Sequence, residues 1–129
     1  MDLMIRKEGD VRNWLRKEVG ERVFWIEPGA GSTVGFPDAL VTKDGGLIPV
    51  ELKAGRIRNG IWIDGKKRGL RPSQKIVMRK MWALGIRPLL IVGRLGTSDV
   101  GRVDTLAAIS GEVPLVWEKI EKFDLILRN

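Results

Sequence analysis

Within Pro49-Val50-Glu51-Leu52-Lys53, a carboxylate and an ammonium are separated by a single residue. Successive side chains of a strand point to opposite faces, so Glu51 and Lys53 would project together while Ile48, Val50 and Leu52 point the other way. Such a pair can hold a divalent cation and, beside it, orient a water or stabilise charge growing on a phosphoryl group. Asp38 lies 13 residues before Glu51, across an Asp44-Gly45-Gly46 turn signal. A hairpin there would bring a second carboxylate to the same ion. The competing reading is an ordinary cross-strand salt bridge with solvated neighbours.

Composition narrows the chemistry further. The 129 residues contain neither cysteine nor histidine, which excludes disulfides, Cys/His zinc sites, histidine general bases and Ser-His-Asp triads. The 16 Asp and Glu residues are the only charged metal ligands, and carboxylate oxygens suit a hard ion such as Mg²⁺, with Mn²⁺ able to substitute. Net charge is +7, and it is concentrated: residues 1–52 carry −2, residues 53–94 carry +11 and residues 95–129 carry −2. A block of that kind suits a polyanion, because neutralising phosphates releases counterions. It could also be a merely solvated face. No apolar run approaches the length of a bilayer span, the N-terminus lacks the form of a signal peptide, and no basic amphipathic helix offers a broad apolar face to a membrane. The expectation is a soluble, cytoplasmic protein without membrane partners. Gly29-Ala30-Gly31 is neither a full dinucleotide fingerprint nor accompanied by a Walker lysine, so no nucleotide cofactor is expected.

These residues must be positioned by a short series of elements. Helical periodicity runs from Leu3 to about Val19, with Val11, Trp14 and Leu15 on one side and Gly20 as the stop. Glu8 shares the inward stripe, either as an exposed first-turn acid favoured by the helix dipole or as a functional group. Strands are expected at Arg22–Ile26, Phe36–Thr42 and Leu47–Ala54, the last with Pro49 marking an edge or a bulge. Residues 55–70 read as a protruding basic hairpin around Ile61-Trp62-Ile63. Pro72 opens a helix to Leu84, with Val77, Met81 and Leu84 as its apolar seam and Arg71, Lys75 and Arg79 as a basic stripe. Pro88–Val92 is apolar throughout, as a central strand covered on both faces requires. In the tail, Val103–Ile109 and Val113–Trp117 could be strands or short helices, and Glu118–Phe123 a turn or two of helix. The order αβββαβ predicts an α/β fold with a mixed central sheet flanked by helices, in one domain over 1–129 with a core at about 3–93 and an unassigned extension at 94–129.

Gly35-Phe36-Pro37-Asp38-Ala39-Leu40, a hairpin, and then Pro49-Val50-Glu51-Leu52-Lys53 resemble the signature of the PD-(D/E)XK nuclease superfamily, whose restriction-endonuclease-like core has this same αβββαβ order. Arg71-Pro72-Ser73-Gln74 resembles the downstream glutamine motif of its VRR-NUC and Holliday-junction-resolvase-like branches, which are frequent in phage genomes. The resemblance covers about residues 3–93. The Val-Arg-Arg that names the VRR-NUC group is not apparent, and residues 55–70 exceed a minimal core.

The resemblance implies a metal-dependent endodeoxyribonuclease. Asp38 and Glu51 would bind the metal, with the Leu52 backbone carbonyl as a further ligand, Lys53 as the catalytic lysine, Gln74 in support and Glu8 as the first-helix acid at the same metal. Water would attack phosphorus with help from Lys53 while one or two Mg²⁺ ions stabilise the leaving oxygen, and a 5′-phosphate would remain. Ser32 occupies the place of a serine common before Pro-Asp in resolvase-like members. Arg56, Arg58, Lys66, Lys67, Arg68, Arg71, Lys75 and Arg79 are the expected DNA contacts. Trp62 either stacks on an exposed base or packs against its own hairpin, and the other four tryptophans are expected in the core or a subunit interface. The expected substrate is branched or flapped DNA such as a Holliday junction, cut by a homodimer or higher homo-oligomer in the cytoplasm, that of the host if phage-encoded. The alternative is a non-catalytic DNA-binding or assembly module that keeps the nuclease fold.

Overall fold

The computed structural model describes residues 4–26, 34–111 and 114–124. Helix α1 (Glu8–Val19) leads through a 3-10 turn into β1 (Val23–Trp25), followed by β2 (Ala39–Lys43) and β3 (Gly46–Gly55). A two-stranded hairpin, β4 (Ile57–Arg58) and β5 (Ile61–Trp62), and a single helical turn, α2 (Gly65–Arg68), precede α3 (Pro72–Ala83). Then come β6 (Leu89–Arg94), β7 (Val100–Val103), α4 (Thr105–Ser110) and β8 (Trp117–Lys119). The main sheet has six strands in the order β1-β2-β3-β6-β7-β8. Strands β3 and β6 pair in parallel, and the other neighbours are antiparallel. The chain is therefore mixed α/β, with helices packed on the sheet.

Each face of the sheet has its own apolar cluster. Val11, Leu15 and Val19 of α1 pack against Val50, Leu52 and Ile91, following the i, i+4, i+8 spacing that puts them on one stripe. On the opposite face, Leu90, Val92 and Val103 meet Met78 of α3, Ile109 of α4 and Trp62, Leu70 and Leu115. The β2–β3 turn places Asp44 and Gly45 at φ 52° and 80°, the left-handed pair that a two-residue hairpin of matching twist demands. Pro49 lies opposite Leu40 on β2, whereas pairing with β6 begins only at Val50. β3 still has one open edge at Pro49, so a missing N–H is tolerated without a bulge.

Several expectations are corrected. Helix α1 begins at Glu8 rather than Leu3, which lies outside the described residues. Asp10 accepts the backbone N–H groups of Arg6 and Lys7 at 2.8 and 3.2 Å and so caps the helix from within its first turn. Ahead of it, buried Ile5 exchanges backbone hydrogen bonds with the loop after β6, Ile5 N to Thr97 O and Gly96 N to Ile5 O. The buried line of α3 is Gln74 and Met78, with Val77 and Met81 only half-buried and Leu84 69% exposed. Residues 55–70 do not form one protruding hairpin: Ile57, Trp62 and Leu70 are buried, and Lys66, Lys67 and Arg68 stand on α2. Trp62 is 3% exposed and fits against Gly55 and Gly65, where any Cβ would collide with the indole. It is buried in the core cluster beside Leu70, Met78 and Leu115, where no base can reach its face.

The tail belongs to the sheet. β7 and β8 extend it beyond β6, α4 is capped by Asp104, which accepts the Leu106 N–H, and Glu118–Phe123 is a strand end and turn rather than helix. The expected extension of 94–129 thus carries core residues, among them Phe123, fully buried and edge-on to Trp14 with ring centres 6.4 Å apart. Val113 lies outside the described residues. Among those described, no helix is long and apolar enough to cross a membrane.

If the tail is integral, Phe123→Ala should lower the unfolding free energy by about 3–5 kcal/mol, read from urea denaturation by tryptophan fluorescence. A loss under about 0.5 kcal/mol, the range of surface substitutions, would make the tail peripheral.

Candidate functional site

The register of the β2–β3 hairpin pairs Ala39 with Val50, so one step further along the antiparallel ladder Asp38 comes opposite Glu51. The two carboxylates therefore share a face. Asp38 has already left β2, and its Oδ2 accepts the Leu52 N–H at 2.8 Å, taking the place of the missing strand partner. The N–H and C=O of a strand residue leave by the same edge, so the Leu52 carbonyl faces this notch as well.

Glu51 is 1% exposed and Lys53 6%. Gln74, the third residue of α3, is buried between two partners: its Nε2 donates to Glu51 Oε2 at 2.9 Å and its Oε1 accepts the Arg71 N–H at 2.9 Å. Lys53 Nζ lies 3.6 Å from the same Glu51 oxygen. Among the described residues no donor reaches the other oxygen, Oε1, which is also buried. Desolvation first, then the charge of Asp38, hold the Glu51 carboxyl up at about 8, with Glu8 and a hydrogen bond to Asp38 adding to the rise and Lys53 opposing it. Glu8 is exposed at the rim, yet loss of hydration still raises its carboxyl, with Asp38 adding to that and Lys53, Arg71 and Arg12 opposing it. Glu8, Asp38, Glu51 and Lys53 thus occupy one electrostatic neighbourhood. Glu8 is a first-turn acid of α1 that is coupled electrostatically to Lys53 and Asp38.

The donor set is all oxygen: the facing carboxylates of Asp38 and Glu51, the latter with one buried oxygen that no described donor reaches, and a strand carbonyl. Two acids that repel each other in a dehydrated notch are relieved by a hard divalent cation, so these residues fit one. Among the described residues no three acidic side chains form a ready-made cage; the cation would draw Asp38 and Glu51 together. Asp38 and Gln74 also line an open cleft of about 300 Å³, with Arg12, Arg71 and Ser73 around it and Phe36 and Pro37 forming its apolar wall.

Of the expected DNA contacts, Arg71 lines this cleft. Arg56, Arg58, Lys66, Lys67 and Arg68 are exposed on the hairpin and α2. Lys75 is half-buried, and Arg79 donates to the Ile109 carbonyl at 3.0 Å, so this part of the basic stripe also ties α3 to α4. Ser32 lies outside the described residues. Arg12 was missed by sequence reasoning: it sits 3.6 Å from Asp38 and its guanidinium stacks 4.5 Å above the Trp25 ring. The available signal was its position four residues after Glu8, which places both on one face of α1. In comparison with known proteins, no family model matches the chain and no curated protein is significantly similar to it.

An acid with a raised pKa in the fold stabilises fully below its unfolded value and loses that contribution as pH rises through the folded one. Without divalent cations, wild type should therefore lose stability relative to Glu51→Gln as pH rises from about 4.5 to about 8, by an amount on the order of a few kcal/mol. Thermal melts of both proteins across pH 5–8 test this, and a difference in midpoint independent of pH would refute a neutral buried Glu51.

Proposed function

We propose that the chain is a Mg²⁺-dependent DNA endonuclease of the PD-(D/E)XK type, with the restriction-endonuclease-like core and motifs of the VRR-NUC and Holliday-junction-resolvase-like branches. The observation that carries the reading is the buried Glu51 carboxyl, set opposite Asp38, flanked by Lys53 and held by Gln74 from the start of the next helix. An ion-pair network built only for stability has no need of a second acid facing the first, nor of a buried carboxyl oxygen that no donor among the described residues reaches.

Asp38, Glu51 and the Leu52 carbonyl would hold the cation, and Glu8 would complete its outer side. When bound, Mg²⁺ supplies Lewis-acid stabilisation of charge on the phosphoryl group and a more acidic water. Gln74 fixes the rotamer of Glu51 by a bond to one oxygen and leaves the other free. Lys53, on the same face of β3, places an ammonium beside the reacting phosphate, where it can orient the attacking water and offset negative charge. Arg56, Arg58, Lys66, Lys67, Arg68, Arg71, Lys75 and Arg79 would bind the phosphates. The substrate class that fits is branched or flapped DNA, with a homodimer or higher homo-oligomer placing two sites on one junction in the cytoplasm.

Labelled duplex, single strand, flap and four-way junction should be cut in Mg²⁺ or Mn²⁺. Glu51→Ala and Lys53→Ala should each lower the rate by at least about 100-fold with folding intact by circular dichroism. Full activity in Glu51→Ala would refute the site. DNA binding without cleavage under either ion would favour a non-catalytic binding module. Replacing Lys66, Lys67 and Arg68 by Ala should flatten the dependence of log K on log salt by about 0.9 for each phosphate no longer neutralised; an unchanged slope would remove α2 from the DNA track.

A further inference from the structure

Arg12 is the one group at the mouth of the site whose position is over-determined and whose donors are uncommitted among the described residues. Its guanidinium lies over Trp25 at 4.5 Å and 3.6 Å from Asp38 Oδ1. The latter distance is too long for an N–H···O bond, and no other acceptor among the described residues takes its N–H groups. The side chain keeps 26% of its surface exposed and lines the cleft together with Arg71. Arg16 shares the same indole at 4.8 Å, so two like charges crowd one ring. A planar fork held by stacking, ion-paired with Asp38 at 3.6 Å but without a hydrogen bond to it, keeps its donors available to a phosphate.

We propose that Arg12, paired across the cleft with Arg71, grips a backbone phosphate of the DNA strand entering the site, and that Asp38 holds it only as a loose counter-ion until that strand arrives. The inference rests on the DNA-cutting function proposed above. It assigns to α1 a part in substrate recognition in addition to packing and Glu8. Asp38 then carries two loads: it holds Leu52 N–H with one oxygen and faces the Arg12 guanidinium with the other.

The test is binding of fluorescein-labelled duplex and flap DNA by the full chain, followed by anisotropy across a NaCl series in EDTA so that no strand is cut. Arg12→Gln should weaken binding and reduce the slope of log K against log salt by about 0.9, one phosphate's share, whereas Arg12→Lys should keep the slope. Arg87→Gln is the matched control, since Arg87 also stacks on a tryptophan, 4.1 Å from Trp82, but outside the cleft; its slope should equal wild type. If Arg12→Gln keeps the wild-type slope while the Lys66, Lys67, Arg68 triple variant loses slope, Arg12 is a structural counter-ion and the DNA reading stands. If wild type shows no salt-dependent binding at all, both fall. Should Arg12→Gln fail to fold, phenylglyoxal labelling of wild type read by mass spectrometry decides instead: protection of Arg12 by DNA supports the grip, and equal labelling with and without DNA overturns it.

Discussion

Burial of one carboxyl group, Glu51, is the constraint around which the centre of the molecule is arranged. A carboxylate taken out of water is costly unless it is paired, neutralised or bound to a cation. Here Lys53 is near but 3.6 Å away, and Gln74 supplies a single hydrogen bond. Asp38 opposite makes the charged state worse. The position is held because β3 is tied in parallel to β6 from Val50 to Gly55 and antiparallel to β2 up to Val50. A side chain on so rigid a strand cannot escape to solvent by local fraying. A buried, poorly compensated carboxyl is the arrangement expected of the proposed site, where burial shifts a group towards its task.

The same constraint sets α3. Gln74 reaches Glu51 with its amide nitrogen and caps Arg71 with its amide oxygen, while Pro72 starts the helix with φ already set. The rotation of the helix follows, and it places Met78, one turn on, in the core. Gly35 completes the arrangement from the other side. It has φ 85°, and a Cβ there would lie 2.4 Å from the Ser73 carbonyl, so only glycine lets the segment before Pro37-Asp38 lie on the first turn of α3. Three stretches far apart in sequence therefore meet at one notch, each through a contact only its own residue type can make.

Much of this was legible in the residues. Period-2 alternation separated Glu51 and Lys53 from Val50 and Leu52, the Asp44-Gly45 turn set the hairpin, and the spacing of Gln74 turned it inward. What escaped was decided by tertiary contacts. The apolar pattern of α3 fits a seam through Val77, Met81 and Leu84 as well as one through Met78, and only the polar Gln74–Glu51 bond selects between them. Helical periodicity continues upstream of Glu8, but Asp10 and the pairing of Ile5 with the loop at Thr97 end the helix there. The tail's short segments carry weak periodicity because β7 and β8 are three or four residues long, and a glycine at 101 reads as a breaker until Trp117 is seen packed against it. Lys66 to Arg68 were legible as charge, not as a place.

Arg12 escaped for a different reason, and it bears on how the site works. In sequence it looks like any cation on the polar side of an amphipathic helix, and its distinction lies in what two remote residues, Trp25 and Asp38, do to it. Stacking on Trp25 removes rotamer freedom that an exposed arginine would otherwise lose on binding. If the site binds Mg²⁺ and DNA as proposed, its three acids and cluster of cations would exchange partners: a cation drawing on Asp38 would weaken its hold on the guanidinium, and a phosphate drawing on the guanidinium would free Asp38. Each event would then lower the cost of the other, and the two proposed affinities would be linked through one carboxylate.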